Sequence, residues 1–537
     1  MSLLEIENLA VAFGPAEKPL HVIEDVTFSI DAHETVALVG ESGSGKSVSA
    51  LAIMRLLQEP GRIVRGAIRF EGHDLLQLDE RAMARIRGDR IAMIFQEPMS
   101  SLNPLMSVGA HVAEPLRLHR GLSRRDARTR AIALLDRVGI PSAARRFDDY
   151  PHRMSGGMRQ RVMIAAALAC EPALLIADEP TTALDVTIQA EVLALLKELQ
   201  AETGMGLVLI THDLGVVAEI ADRVVVMNQG EIVEQGSVRE VYHHPQHPYT
   251  KKLIAAAPGK GEIKLLDEAA PLLLEVNNLT KTYGDFAALK GASLTLARGQ
   301  SLAVVGESGS GKSTLARTLL RLEQADGGEA LWKGSDLIRM SGKELLGVRR
   351  EIQMVFQDPT QSLNPRMSVY QLIAEGWDIH RLMPDKSKRR ARVAELLEQV
   401  GLLPEHAERY PHQFSGGQRQ RIAIARALAL EPELIICDEA VSALDVSIQA
   451  QVIALLDSLR QRLGISFLFI AHDLGVVRDF ADTVIVMKSG EIVERGPTAQ
   501  IFDAPKHPYT QRLLAANLDP DPDVQAQRRA AVTRADG

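Results

Sequence analysis

The feature that most constrains this chain is an eight-residue string, Gly-Glu-Ser-Gly-Ser-Gly-Lys-Ser, which occurs at 40–47 and again at 306–313. Each copy fits G-x-x-x-x-G-K-[ST], a spacing with a local physical cause. Glycines let the backbone curl so that successive N–H groups face a phosphate, and the helix that follows adds its positive end. In the first copy Gly40, Ser42, Gly43 and Gly45 form the cradle, Lys46 is set to reach the β- and γ-phosphates, and Ser47 and Val48 open the helix. The second repeats this with Gly306, Ser308, Gly309, Gly311, Lys312, Ser313 and Thr314. The Ser47 and Ser313 hydroxyls are those expected on Mg²⁺. Short β-branched runs at 35–39 and 301–305 precede the loops and helical patterns at 49–57 and 315–322 follow, the strand–loop–helix context this motif requires.

A length of 537 residues would suggest about three or four domains. The repeat overrides that expectation: Lys46 recurs as Lys312 and Glu179 as Glu439 at nearly the same offset, so one unit is copied with a small loop lost. The reading is two homologous domains, 1–257 and 272–518. A linker at 258–271, carrying Pro258, Gly259 and Gly261, joins them, and a polar tail at 519–537 is expected to be disordered. The net charge of -8 leaves no basic excess to neutralise nucleic-acid phosphates. The two cysteines, Cys170 and Cys437, lie in no C-x-x-C pair, which argues against zinc, an iron–sulfur cluster or a disulfide framework and for two apolar interior positions. Residues 1–13 show no basic-then-apolar leader. The longest apolar candidate, 162–177, is cut by Glu171 and Pro172 and falls short of the ~20 residues that cross a bilayer. The expectation is a cytoplasmic protein that serves a membrane only by docking on another subunit.

The same parts follow each loop motif in the same order. Phe13 and Tyr283 end matching strand-like runs ahead of the loops, where a ring could stack on adenine. Gln96 and Gln357 each end a strand, followed by an acid and a proline, a hinge-like junction. Helical periods at 108–138 and 369–400 read as a helical subdomain inserted into an α/β core. Ser155, Gly156, Gly157 and Met158, and in the second half Ser415, Gly416, Gly417 and Gln418, open a helix in a manner suited to an anion: the hydroxyl caps and the glycines leave N–H groups unobstructed. Buried-strand runs then end in Asp178-Glu179 and Asp438-Glu439, adjacent carboxylates where ligands gather in open α/β sheets. The aspartate can reach a Mg²⁺ shell and the glutamate can polarise a water for attack on a phosphoryl group. Ala183-Leu184-Asp185 and Ala443-Leu444-Asp445 come next. His212 and His472 stand after a further strand at the same distance from the glutamate in both halves, placing each on the γ-phosphate. Both halves close with His-Pro-Tyr-Thr, at 247–250 and 507–510.

With these motifs in this order, each half resembles an ABC-type ATP-binding domain, and the resemblance covers nearly the whole chain except linker and tail. It implies tandem P-loop NTPase nucleotide-binding domains, each a RecA-like α/β core with an antiparallel β subdomain and an inserted α-helical subdomain. The Ser-Leu-Asn-Pro segments, the Tyr-Pro-His lead-ins and the His-Pro-Tyr-Thr endings resemble the peptide/nickel importer group, in the fused form of Yej-type peptide and microcin C importers. Many of its members carry a cysteine-rich iron–sulfur segment after that ending; no cysteine stands there in this chain, so no cluster is expected.

The resemblance further implies two ATP sites between domains packed head to tail. One combines 40–47, Gln96, Asp178, Glu179 and His212 with 415–418; the other combines 306–313, Gln357, Asp438, Glu439 and His472 with 155–158. Mg²⁺ would be held by Ser47, Gln96 and Asp178, and by Ser313, Gln357 and Asp438. The implied activity is transport-coupled ATP hydrolysis for oligopeptide or dipeptide import. The implied partners are two transmembrane permease subunits and an extracytoplasmic solute-binding protein, with the chain peripheral on the cytoplasmic face of a bacterial inner membrane. Alternatives are an importer of glutathione, nickel or another small solute, or a soluble tandem protein acting on ribosomes or nucleic acid; the short linker, scattered cysteines and acidic balance speak against the latter. The halves differ at Met158 (Gln418), Ala166 (Arg426), Val48 (Thr314) and Ala440 (Pro180), but both keep the glutamate, so two hydrolytic sites are expected.

Overall fold

The structure is a computed structural model that describes residues 2–535 apart from Ala16, 97–100, Ala183, Lys260, 262–269 and Ala443. Parts of the expected motifs, Glu97 and Pro98, Ala183 and Ala443, and most of the linker, lie outside the described residues. The chain divides into two compact units, the first holding Met1–Leu184, Ile188–Ala257 and Leu518–Gly537, the second having Pro258–Asn517 as its bulk.

In the first unit five parallel strands lie in the order Ile91–Ile94, Leu174–Asp178, Gly206–Ile210, Thr35–Val39 and Arg223–Asn228, with Glu231–Ser237 antiparallel at the end. The central strands read as unbroken apolar runs because both faces of a parallel sheet are covered. With a period of two, Leu175, Ala177, Leu207 and Leu209 enter the core on one face, and Leu174, Ile176, Val208 and Ile210 enter the core on the other. Antiparallel strands Arg62–Phe70, Leu4–Phe13 and Leu20–Ile30 form the β subdomain, joined to the core sheet where Asp25 pairs with Glu231 and the Glu24 amide donates to the Gly230 carbonyl.

The second unit repeats the core order with Ile352–Val355, Leu434–Asp438, Ser466–Ile470, Ser301–Val305, Thr483–Lys488 and Glu491–Pro497. Its antiparallel strands, centred on Leu272–Tyr283 and Phe286–Ala297, form a separate four-stranded sheet. The expected architecture of α/β core and antiparallel β subdomain is thus present twice.

The inserted helices are Val108–His119 and Arg124–Arg137 in the first unit, Val369–Ile379 and Lys386–Gln399 in the second. Each starts where a side chain caps it: Ser107, Ser123, Ser368 and Asp385 accept from amides of the first turn. Buried Val112 and Leu116, then Ala127, Ala131 and Leu135, recur at the four-residue spacing of a helix face turned to a core. Cys170 and Cys437 are free and buried, as their apolar settings led one to expect.

The tail corrects an expectation. Residues 519–537 read as disordered from their polar composition, yet Pro522–Ala535 is an α-helix belonging to the first unit. The helix is rich in Ala, Gln and Arg, good helix formers, and specific polar bonds hold its first turn. Gln525 Nε2 donates to Glu219 Oε2 at 2.6 Å, and Asp523 pairs with Arg239 at 3.0 Å and His243 at 2.9 Å. Just before the helix, Leu518 packs against Gly215. Among the described residues no helix is long and apolar enough to cross a membrane.

Candidate functional site

Parallel strands deliver whatever follows them to one edge of the sheet, and in this order the deliveries are neighbours. Ile91–Ile94 leads to Gln96, Leu174–Asp178 ends in Asp178 with Glu179 next, Gly206–Ile210 leads to His212, and Thr35–Val39 leads into the glycine-rich loop. The second unit delivers Gln357, Asp438, Glu439, His472 and the loop at 306–313 in the same way.

The loop is shaped by close approach. A Cβ on Gly40 would lie 2.2 Å from the Met227 carbonyl oxygen, and one on Gly306 would lie 2.1 Å from that of Met487, both at positive φ, so only glycine fits there. At the outer lip the reverse holds: a Cβ on Gly43 or Gly309 would meet nothing within 4 Å. Helices Lys46–Ile53 and Lys312–Leu319 begin directly behind the loops, presenting first-turn amides that have no intrahelical partner. Lys46 and Lys312 are buried, and each ammonium folds back on its own loop. Lys46 Nζ donates to the carbonyls of Gly40 (2.8 Å) and Glu41 (2.9 Å), and Lys312 Nζ to those of Gly306 (2.7 Å) and Glu307 (3.0 Å). Burial pushes the Lys312 ammonium below its ordinary range.

Ser47 Oγ donates to Asp178 Oδ1 at 3.1 Å, and Ser313 Oγ to Asp438 Oδ1 at 3.0 Å. Burial pushes the Asp178 carboxyl up to about 6 against the opposing Ser47 hydroxyl bond, and raises Asp438 as well. A buried carboxylate with a hydroxyl beside it is a hard-oxygen donor pair that fits Mg²⁺. The third expected ligand stands differently: Gln96 Nε2 donates to Glu179 Oε2 at 2.8 Å and Gln357 Nε2 to Glu439 Oε2 at 2.7 Å, so each glutamine side chain is joined to the glutamate rather than to the Ser–Asp pair.

Glu179 and Glu439 both sit at φ 48, a left-handed conformation uncommon for a non-glycine residue and held by the sheet, since their amides donate to Ile210 and Ile470 carbonyls. Burial alone would raise the Glu179 carboxyl, but bonds from the His212 ring, the Thr182 hydroxyl and the Gln96 amide, with the charge of His212, outweigh it and hold the group at about 2. The halves diverge at the histidine: His212 Nδ1 is 3.1 Å from Glu179 Oε1, whereas His472 Nδ1 is 3.8 Å from Glu439 Oε2.

The signature residues stand apart from this network. Ser155 and Ser415 cap helices Gly156–Ala167 and Gly416–Leu428, accepting from Met158 N and Gln418 N at 3.3 Å. Gln418 Oε1 accepts in return from Ser415 N at 3.1 Å, a reciprocal box that the thioether of Met158 cannot make. Gly156 and Gly416 are exposed; Gly157 and Gly417 are buried against Ile188 and Ile448. The two aromatics differ as well: Phe13 is half-buried against Gly61, while Tyr283 is 42% exposed with the Lys281 ammonium 5.2 Å above its ring. Val48 and Thr314 are half-buried behind their lysines. Two residues not singled out from the sequence also reach the loops, Tyr249 and Tyr509, whose hydroxyls accept from Glu41 N (2.9 Å) and Glu307 N (3.1 Å). Their recurrence within His-Pro-Tyr-Thr was the available signal.

A family model described as "ABC transporter" matches 23–182 and 289–442, and one described as "Oligopeptide/dipeptide transporter, C-terminal region" matches 233–281 and 493–536. Glutathione import ATP-binding protein GsiA of Escherichia coli (strain K12) is 49% identical over 574 residues, spanning 99% of this chain and 92% of its own length, and the protein of the same name from Shigella dysenteriae serotype 1 matches equally. Among solved structures, the ATP-binding cassette MJ0796, dimeric in a post-hydrolysis state bound to ADP and Pi, aligns with a TM-score of 0.41 at 31% identity, over 44% of this chain and 99% of that one.

Proposed function

The chain belongs to the ABC transporter family of ATP-binding proteins, and from that premise we propose that it energises an importer whose cargo is a short peptide, glutathione included. It binds and hydrolyses ATP, as an importer's ATP-binding subunit does. The observation that carries the cargo class is the match of both halves to the oligopeptide/dipeptide C-terminal region. Glutathione, for which the relatives are named, is itself a tripeptide and falls within that class.

Each unit supplies its own chemistry to a bound ATP. The loop amides and the start of the following helix take the phosphates, and Lys46 and Lys312 swing from their own loop carbonyls to the β- and γ-oxygens. Ser47 with Asp178, and Ser313 with Asp438, would hold Mg²⁺, with Gln96 and Gln357 as the further ligands, and the ion would supply positive charge to offset that of the phosphates. Glu179 and Glu439 orient the attacking water and accept its proton as its oxygen bonds to the γ-phosphorus and the bond from that phosphorus to the β–γ bridging oxygen breaks, releasing ADP and inorganic phosphate, while His212 and His472 hold the γ-phosphate. Phe13 and Tyr283 stack on adenine, and Ser155, Gly156, Gly157, Ser415, Gly416, Gly417 and Gln418 contribute signature contacts to nucleotide.

The proposed partners are two transmembrane permease subunits and an extracytoplasmic solute-binding protein, with this chain peripheral on the inner face of the membrane. Exposed Phe95 and Phe356, immediately before Gln96 and Gln357, offer apolar contacts to permease helices. Affinity purification from detergent-solubilised membranes should recover two permease subunits, and uptake by vesicles carrying them should accept glutathione or dipeptides. Recovery of ribosomes or nucleic acid without membrane protein would refute the importer reading; uptake of nickel alone would refute the peptide cargo.

A further inference from the structure

In each unit the His-Pro-Tyr-Thr ending is bonded to the phosphate loop across about two hundred residues of sequence. Tyr249 Oη accepts from the Glu41 amide at 2.9 Å, and Tyr509 Oη from the Glu307 amide at 3.1 Å. The same loop residue is held on its other side by the lysine, whose ammonium donates to the Glu41 or Glu307 carbonyl at 2.9 or 3.0 Å. The tyrosine is itself anchored. His247 Nδ1 accepts from Tyr249 N at 3.2 Å, and His507 Nδ1 from Tyr509 N at 3.1 Å. Behind them the Glu234 carboxylate accepts from the amides of Gln246 (2.8 Å) and His247 (3.0 Å), and the Glu494 carboxylate from those of Lys506 (2.7 Å) and His507 (3.0 Å). A chain of bonds thus runs from a strand acid through the ending to the loop, once in each unit.

We propose that Tyr249 and Tyr509 are positioning residues for ATP: each fixes the second residue of its phosphate loop so that the cradle keeps its shape when the lysine leaves it. The inference rests on the reading of the two loops as ATP cradles. To engage phosphate, Lys46 must release the Gly40 and Glu41 carbonyls, which removes two of the bonds that brace the loop from within and leaves the Ser44 amide donating to the Glu41 carbonyl at 3.1 Å. The tyrosine bond does not involve the lysine and stays. Preorganisation of this kind lowers the ordering cost of binding and so acts on affinity rather than on the chemical step. It also makes the C-terminal region matched at 233–281 and 493–536 a structural part of the nucleotide site.

The test is Tyr249→Phe in the full chain carrying Lys312→Ala, so that the first loop alone reports, and Tyr509→Phe with Lys46→Ala for the second. The phenylalanine keeps the ring and removes only the hydroxyl, leaving one loop amide without its acceptor. ATP affinity should weaken about tenfold, kcat at saturating ATP should stay within about twofold, and amide hydrogen exchange of the 40–45 segment should quicken while strand Thr35–Val39 is unchanged. Unaltered ATP affinity and unaltered loop exchange would overturn the proposal, as would a fall in kcat at constant affinity. Should Lys46→Ala combined with Lys312→Ala retain full ATP binding, the cradle reading itself fails. If those lysine variants lose ATP while the phenylalanine variants keep it, only the tyrosine inference falls.

Discussion

Asp178 gives a pH dependence that can be worked from its surroundings. Its carboxyl lies at about 6 where the ordinary value is 3.8, because burial outweighs the Ser47 bond; holding it ionised without a cation costs on the order of 3 kcal/mol. The sign follows from a raised pKa: the protonated carboxyl contributes stability below its ordinary value, and that contribution is lost as pH rises through about 6. The nucleotide-free first unit should therefore lose stability between about pH 4 and pH 6, while Mg²⁺ binding gains over the same span. At about pH 7.5 roughly 97% of such a group is ionised, and at about pH 5 roughly 9%, so Mg²⁺-dependent ATP affinity at this site should fall about tenfold across that interval. Isothermal titration with Mg·ATP on the Lys312→Ala chain measures it. Asp178→Asn, which has no carboxyl to titrate, supplies the contribution of the ATP phosphates and of the other groups at the site. Identical pH profiles for the two proteins would refute the reasoning, since the aspartate would then not titrate in this window.

Glu179→Gln combined with Glu439→Gln should retain ATP binding and lose turnover by about 10²-fold or more; sustained phosphate release would remove both residues from the base role. Gly40→Ala should lower the melting temperature of the first unit and abolish ATP binding there, because its methyl would stand 2.2 Å from the Met227 oxygen, and a variant with wild-type affinity would show that the loop takes another shape. Met158→Gln supplies the acceptor for Ser155 N that Gln418 provides in the second unit, and should stabilise the first unit by about 0.5–1 kcal/mol in denaturant unfolding; no gain would mean that the reciprocal bond does not form. Deleting 518–537 should lower the melting temperature of the first unit selectively, by removing the bonds to Glu219, Arg239 and His243; an unchanged transition would show that the tail helix contributes nothing to its stability.

What could be read from the sequence was what the parallel sheet dictates. Short apolar runs ending in Lys-bearing loops, Asp-Glu pairs or histidines place those residues at strand ends, and strand ends share an edge. The helix starts at Ser155 and Ser415 were legible because a hydroxyl followed by two glycines caps a helix and leaves its first amides open, whereas the caps at Ser107 and Ser123 lay unread, ahead of and inside one helical period. Contacts between side chains far apart in sequence were not legible. Neither the left-handed Glu179 and Glu439 nor the glutamine–glutamate bond has a local signature. The tyrosine–loop bond joins residues 208 apart, and the repeated tetrapeptide indicated that Tyr249 mattered without saying what it touches. The tail was misread because a polar composition does not register a few well-placed bonds to residues far away in sequence. The unequal histidine–glutamate distances in near-identical motifs are a difference of packing that no motif encodes.

The tail helix also sets an order of events during synthesis. The first unit is translated first, yet its last piece, the segment from Leu518 onward, leaves the ribosome only after all of Pro258–Asn517 has been made. At about 5–20 residues per second the early unit waits on the order of 10–50 seconds for the helix that covers it. Until then the surface around Gly215, Glu219 and His243 is open to solvent, and a nascent chain stalled in the second half carries a first unit that has not been closed.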